Sequence, residues 1–314
     1  MAMKSASQRF TDPASGGANP VVVGVEIGPA IIRAGVFTTG GHALLGKTKI
    51  STKLERGPEI VVERIARCIR YAVDECDLEM EQVSRIGVAA PGQILGDAVV
   101  ASSPDLGWEN VPLQTRLAAR FDLPIAVGQL YNVAALGILA AELQHPVQRF
   151  AAVFVGPQIG AGVRIGGQWQ ELSALRTPDA GEEQLRGHII AAQSHPVFGG
   201  FRGRDFRKAL KKSENIAMRE YVGRLAGLAG EAAARLHQAF ALETIVLGGA
   251  LMDEMKEEIL TKARAAFEHR SPHGSQNSCA LFASDLGDLA PITGAAIWAT
   301  HRCADLAAGL VTSA

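Results

Sequence analysis

The chain has 314 residues, enough for two domains at about 100–200 residues each, and 47% of them are hydrophobic, enough for a sizeable core. A formal net charge of −1 gives no sequence-wide attraction to nucleic acid or to an anionic membrane. With 20% charged residues and 34 glycines, the composition excludes a disordered or coiled-coil chain and suits an α/β fold with tight turns.

Residues 1–19 are rich in Ser, Gly, Ala and Pro and read as a flexible tail. They lack the apolar core of a secretory signal, and no apolar run reaches the roughly 18 residues of a membrane span. A cytoplasmic protein is expected. Residues 20–27 form a β-branched apolar run, a buried strand. Strands at 31–37 and 43–50 follow after short turns, so the three are antiparallel. A helix over 58–76 carries Ile60, Val61, Ile65, Cys68, Ile69 and Ala72 at helical spacing, with Pro58 in its first turn. Then come a strand at 85–89, a short helix at 112–121, a strand at 124–127 and a helix at 131–143.

The second half repeats the order: strands at 150–155, 160–165 and 167–171, a helix at 215–240, a strand at 244–247, a helix at 251–268, a strand at 279–283 and a helix at 289–308. Strands alternating with helices predict parallel pairing on buried sheets. The four cysteines, Cys68, Cys76, Cys279 and Cys303, form no CxxC pair and read as reduced, buried thiols.

A duplicated βββαβα order resembles the actin-like, ribonuclease-H-like sugar-kinase fold, an α/β architecture of two lobes around a central cleft. The implied division is a tail at 1–19, an N-terminal lobe at 20–122, a C-terminal lobe at 123–288, and a C-terminal helix at 289–314 that can pack back on the first lobe. Nine stretches sharpen the likeness: VGVEIGPAIIRAGVF at 23–37, IGVAAPGQI at 86–94, SPDLGWENVPL at 103–113, LPIAVGQLYNVAALG at 123–137, VFVGPQIGAGVRIGG at 153–167, AGE at 180–182, GH at 187–188, TIVLGGAL at 244–251 and LAPITGAAIWA at 289–299. In this order and spacing they resemble the ROK family (repressor, open reading frame, kinase), which includes bacterial glucokinases and N-acetylhexosamine kinases. The resemblance implies a sugar or sugar-like ligand and a homodimer.

The chemistry expected of such a kinase is altered. The first phosphate hairpin should read Asp-x-Gly-Gly-Thr; here it is Glu26-Ile27-Gly28-Pro29-Ala30. Glu26 keeps a carboxylate suited to magnesium, but Pro29 has no N–H to offer a phosphate. The second should read Gly-Thr-Gly-x-Gly; here it is Gly156-Pro157-Gln158-Ile159-Gly160. Both also read as ordinary proline-containing turns. The family's general base is an Asp just before a helix, and Leu130 stands there. The family's zinc-binding cysteines are missing from 195–204, so no zinc is expected, His188 and His195 alone being too few ligands. Arg202, Arg204, Arg207, Lys208, Lys211 and Lys212 form a basic cluster, read as a solvated face or as an anion contact.

Sugar contacts implied by the resemblance are Asp105, Asn132, Glu182 and His188, whose acceptors and donors suit hydroxyl groups. Asp105 replaces an Asn and His188 is displaced by three residues; caps and turns are the other reading of each. Glu26, Gly28, Gly160, Gly248 and Gly249 are the nucleotide-side candidates if nucleotide binding is retained, with Gly248–Gly249 also readable as a plain strand-to-helix turn. No cofactor is expected unless the chain is an active kinase, which would use Mg-ATP. The functional expectation is a catalytically impaired sugar-kinase-like protein, a pseudokinase that binds a ligand or partner; the alternative is an active, divergent ATP-dependent hexose or N-acetylhexosamine kinase. A repressor is a third reading, but about twenty residues ahead of the first strand are too few for a helix-turn-helix domain. No nucleic-acid partner is expected.

Overall fold

The computed structural model describes residues 20–39, 43–96, 98–143, 145–156, 159–170, 172, 216–249, 251–271 and 279–307. The chain divides into two compact units, residues 1–141 with 291–314, and residues 142–290.

In the first unit the β-branched run Val21–Ile27 is β1. It pairs antiparallel with β2 (Ile31–Thr38), which pairs antiparallel with β3 (Leu44–Ser51). After α1 (Gly57–Asp74), β4 (Val83–Ala90) returns parallel to β1. After α2 (Leu113–Ala118), β8 (Ile125–Gln129) joins β4, also parallel. The sheet order is β3-β2-β1-β4-β8. Alternation splits β1 between two faces. Val21, Val23, Val25 and Ile27 pack with α1 through Val61, Val62, Ile65 and Ile69. The opposite face takes α6 (Ala290–Ala307). There Gly24 and Gly87 are obligatory, because a Cβ on either would overlap the carbonyl oxygen of Ile292 or Ala295. On the surface, Arg116 of α2 pairs with Glu59, and Arg120, just past α2, pairs with Glu59 and Glu63, tying this stretch to α1.

The sequence reading missed a sheet. β5 (Gln93–Leu95), β6 (Val99–Ser103) and β7 (Trp108–Pro112) form an antiparallel meander between β4 and α2. The expected boundary at 122/123 also needs correction. β8 is the fifth strand of the first sheet, and α3 (Leu130–Glu142) belongs with it up to Ala141.

The second unit repeats the plan. β9 (Arg149–Phe154), β10 (Gly160–Ile165) and β11 (Gln168–Trp169) are antiparallel neighbours. After α4 (Ile216–Phe240), β12 (Thr244–Gly248) lies parallel to β9. α5 (Met252–Arg270) leads to β13 (Ala280–Ala283), parallel to β12. The order β11-β10-β9-β12-β13 matches that of the first sheet strand for strand. α4 and α5 cover the face bearing Ala151, Val153, Ile245 and Leu247. Gly230 lets them approach closely, since a Cβ there would overlap the Ala263 carbonyl.

None of the four cysteines is paired; burial pushes the Cys68 thiol up to about 12 and Cys279 up to about 11. Among the described residues no helix is long and apolar enough to cross a membrane.

Gly87→Ala is expected to destabilise the chain by about 1–3 kcal/mol or more, because the helix above has no room to retreat without losing its packing. Gly227→Ala, in the interior of α4 with nothing near its missing Cβ, should stabilise by about 0.4–1 kcal/mol. Denaturant unfolding of both variants measures the contrast.

Candidate functional site

The first hairpin turn is tight. Gly28 N–H donates to Ile31 O at 3.0 Å, with Pro29 and Ala30 at the exposed tip. Buried Thr52, just past β3, pins the tip twice: its Oγ1 donates to Gly28 O at 2.6 Å and its N–H to Ala30 O at 2.9 Å. Of the three amides that could face a phosphate, Gly28's is engaged inside the turn and Pro29's does not exist.

A two-residue turn places Glu26 opposite Arg33, and Arg33 opposite Lys49 on β3. The Arg33 guanidinium meets the Glu26 carboxylate at 2.6 Å, with 13% of the Glu26 side chain exposed. A carboxylate already matched by an arginine is poorly placed to hold a divalent cation. The first hairpin therefore does not fit magnesium and a phosphate chain as an open cradle would. Among the described residues no cluster of three or more His, Cys, Asp or Glu could hold a metal ion.

In the second hairpin Gly160 pairs with Phe154, while Pro157 and Gln158 lie outside the described residues. Gly248 ends β12, and its carbonyl accepts from Val155 N at 2.8 Å. Gly249 has φ +108°, and a Cβ there would stand 2.6 Å from Val155 O. Gly249 thus serves a close strand-to-helix passage, with Met252 N–H donating to its carbonyl at 3.0 Å.

At the junction of β8 and α3, Gln129 Oε1 accepts from Asn132 N at 2.9 Å and so caps the helix. Leu130 is half-buried and packs with Ala89, Val133, Ala295 and Trp298. Trp298, from α6, lies over Gly128, where a Cβ would stand 2.9 Å from the indole. The place expected to hold a proton acceptor is thus the edge of an apolar cluster. Tyr131 offers no substitute, since burial and then the negative charge of Asp105 push its phenol up to about 12.

Asp105 stands in the turn between β6 and β7, where Leu106 N–H donates to Ser103 O at 3.1 Å. The structure brings this carboxylate into the electrostatic range of Tyr131, next in the chain to buried Asn132. Glu182, His188, His195 and the basic cluster at 202–212 lie outside the described residues. Arg33, Gln129, Thr52 and Trp298 were missed by sequence reasoning. Only Arg33 left a signal: a two-residue turn at 29–30 pairs 26 with 33.

This is the fold of the actin-like sugar kinases, and the likeness to solved structures bears on the fold. A ROK family glucokinase from Streptomyces griseus, in complex with glucose and AMPPNP, superposes with a TM-score of 0.71 at 23% identity, covering 88% of this chain and 98% of that one. A ROK family transcriptional regulator superposes with a TM-score of 0.68 at 16% identity, covering 91% and 79%. By sequence, the glucokinase of Streptomyces coelicolor is 24% identical over 315 residues, 88% of this chain and 96% of that protein. A putative xylose repressor from Caldicellulosiruptor is 26% identical over 147 residues, 46% and 37%. The description of the ROK family matches residues 22–197 and 182–302, and the chain belongs to that family.

The neutral Tyr131 phenol is favoured by the fold. Its stabilisation is complete below the ordinary value near 10 and is lost as pH rises through about 12. Denaturant unfolding between those limits should show wild type losing stability with rising pH, and Tyr131→Phe losing less.

Proposed function

We propose that this chain is a cytoplasmic, sugar-binding ROK protein with impaired phosphoryl transfer. The observation that carries the reading is Leu130, set among Ala89, Val133, Ala295 and Trp298 where a ROK kinase is expected to hold its general base. An aliphatic side chain takes no proton. Loss of general-base help slows a reaction by about 10²–10⁴, or roughly 3–5 kcal/mol of barrier at 1.36 per decade.

Phosphoryl transfer also depends on positioning and on charge. Here the pinned Gly28–Ile31 turn and the Glu26–Arg33 ion pair add to the loss, because both remove groups that would meet a magnesium-bound triphosphate. Asp105 and Asn132, with Glu182 and His188, are the residues we assign to a sugar or sugar-like ligand. The set does not depend on the phosphate hairpins, so ligand binding can outlive catalysis. A second reading, an active divergent hexose or N-acetylhexosamine kinase using Mg-ATP, is favoured by the carboxylate kept at Glu26 and by the likeness to a glucokinase across 88% of the chain.

Coupled ADP-release assays over hexoses and N-acetylhexosamines should give turnover below about 10⁻² s⁻¹, against the roughly 1–100 s⁻¹ usual for kinases. Turnover near 1 s⁻¹ would sink the proposal in favour of the second reading. Leu130→Asp should not restore transfer, since the first hairpin stays unchanged. Calorimetric titration is expected to give heat with a sugar of the panel and none with Mg-ATP.

A further inference from the structure

The second unit is an insertion. The chain enters it at Glu142, the last residue of α3, and leaves it at Ala290, the first residue of α6. Its first residue grips its last turn. Glu142 Oε1 accepts three hydrogen bonds, from Ser284 Oγ at 3.0 Å, Asp285 N at 2.7 Å and Leu286 N at 3.0 Å. Ser284 is buried, and its Oγ also accepts from Leu286 N at 3.1 Å, so the turn is closed upon the carboxylate. The turn then runs through Gly287, at φ +51°, into the single-turn helix Gly287–Leu289 that leads to α6. Asp285 itself pairs with Lys256 on α5, which balances a second negative charge beside Glu142.

A carboxylate withdrawn from water is costly unless donors replace the water. Burial raises the Glu142 carboxyl above the usual range, while the three donors pull it back. Three donors on one oxygen make a short-range, directional link between residues more than 140 positions apart. Neither passage has another side chain in the described residues that reaches the other with so many bonds.

We propose that Glu142 is a positioning residue, a clasp that joins the entering and leaving passages of the inserted unit into one stem. With the clasp closed, the Ser284–Leu286 turn and the end of α3 move as one piece. With it open, each passage fluctuates by itself and the amides of Asp285 and Leu286 meet water. The link needs an acceptor oxygen at the Glu142 position rather than a negative charge, because all three donors converge on Oε1.

Hydrogen exchange on the full-length chain at neutral pH tests the clasp. Glu142→Ala should raise exchange at the Asp285 and Leu286 amides by at least about tenfold. Glu142→Gln, which keeps an acceptor oxygen, should hold exchange within about threefold of wild type. That rescue separates a directed clasp from the mere loss of a buried side chain. Should Glu142→Ala fail to fold, Ser284→Ala takes away one donor to Glu142 and is expected to raise exchange at Asp285, whose amide donates to Glu142 Oε1, by a few-fold. Unchanged exchange in Glu142→Ala, or in Ser284→Ala where only that variant folds, overturns the proposal. So does a Glu142→Gln variant as loose as Glu142→Ala.

Discussion

The close approach of α6 to the first sheet is the constraint on which the rest of the unit depends. Gly24 on β1 and Gly87 on β4 are cross-strand neighbours, and each leaves space that a helix carbonyl occupies. Gly294 does the same for α3, since a Cβ there would overlap Val133 O. A helix held this close cannot be shifted by a methyl group without losing contact along its length. Its side chains are therefore delivered to fixed places. Trp298 is one of them, and it arrives over Gly128 and beside Leu130.

That delivery shapes the chemistry at the head of α3. An indole against Gly128 leaves no room for a long acidic side chain at that position. With Ala89, Val133 and Ala295 beside it, position 130 suits a hydrophobe and would disfavour an ionised carboxylate through desolvation. The start of the helix still has to be satisfied, and Gln129 does this with its own amide oxygen. The neighbouring phenol of Tyr131 stays protonated throughout the neutral range. Packing, capping and protonation state agree with one another, and none of them supplies a base.

Much of the architecture was legible because it rests on local pattern. The β-branched run of β1, the helical spacing of α1 and the repetition of three strands before alternating elements all reflect the period of burial. The β5–β7 meander was not legible. Its strands have three to five residues, and its first hairpin takes positive φ at Ala98 while its second turns through Gly107 at φ +61°. The unit boundary was hidden for another reason. β8 belongs to the first sheet by pairing with β4, a contact nearly forty residues back that no window reveals. At the site, Leu130 and Pro29 could be read as substitutions, but Trp298 could not, because it comes from the far end of the chain. Glu182 and His188 remain expectations carried by the resemblance alone.

The duplicated plan also changes what a retained glycine means. The fourth element in each sheet order, β4 and β12, ends in the same way. Gly92 has φ +102° and lies against Ser102 O; Gly249 has φ +108° and lies against Val155 O. Side chains rarely adopt that backbone, and a Cβ would collide with a carbonyl in either unit. Gly28 is held by the same kind of demand, with Ile31 O 2.9 Å from where its Cβ would be. These glycines persist whether or not a nucleotide ever binds, because the chain path needs them. Their presence is weak support for catalysis. The groups that only a triphosphate would require are amide donors at the tip of the hairpin, an unengaged carboxylate beside it and a base at the head of α3. In the first unit Pro29 has no amide to give, the Gly28 amide is internally bonded, the Glu26 carboxylate is paired with an arginine and a leucine stands at the head of α3. The proposed loss of phosphoryl transfer rests on those groups alone, because the backbone demands are met in either case.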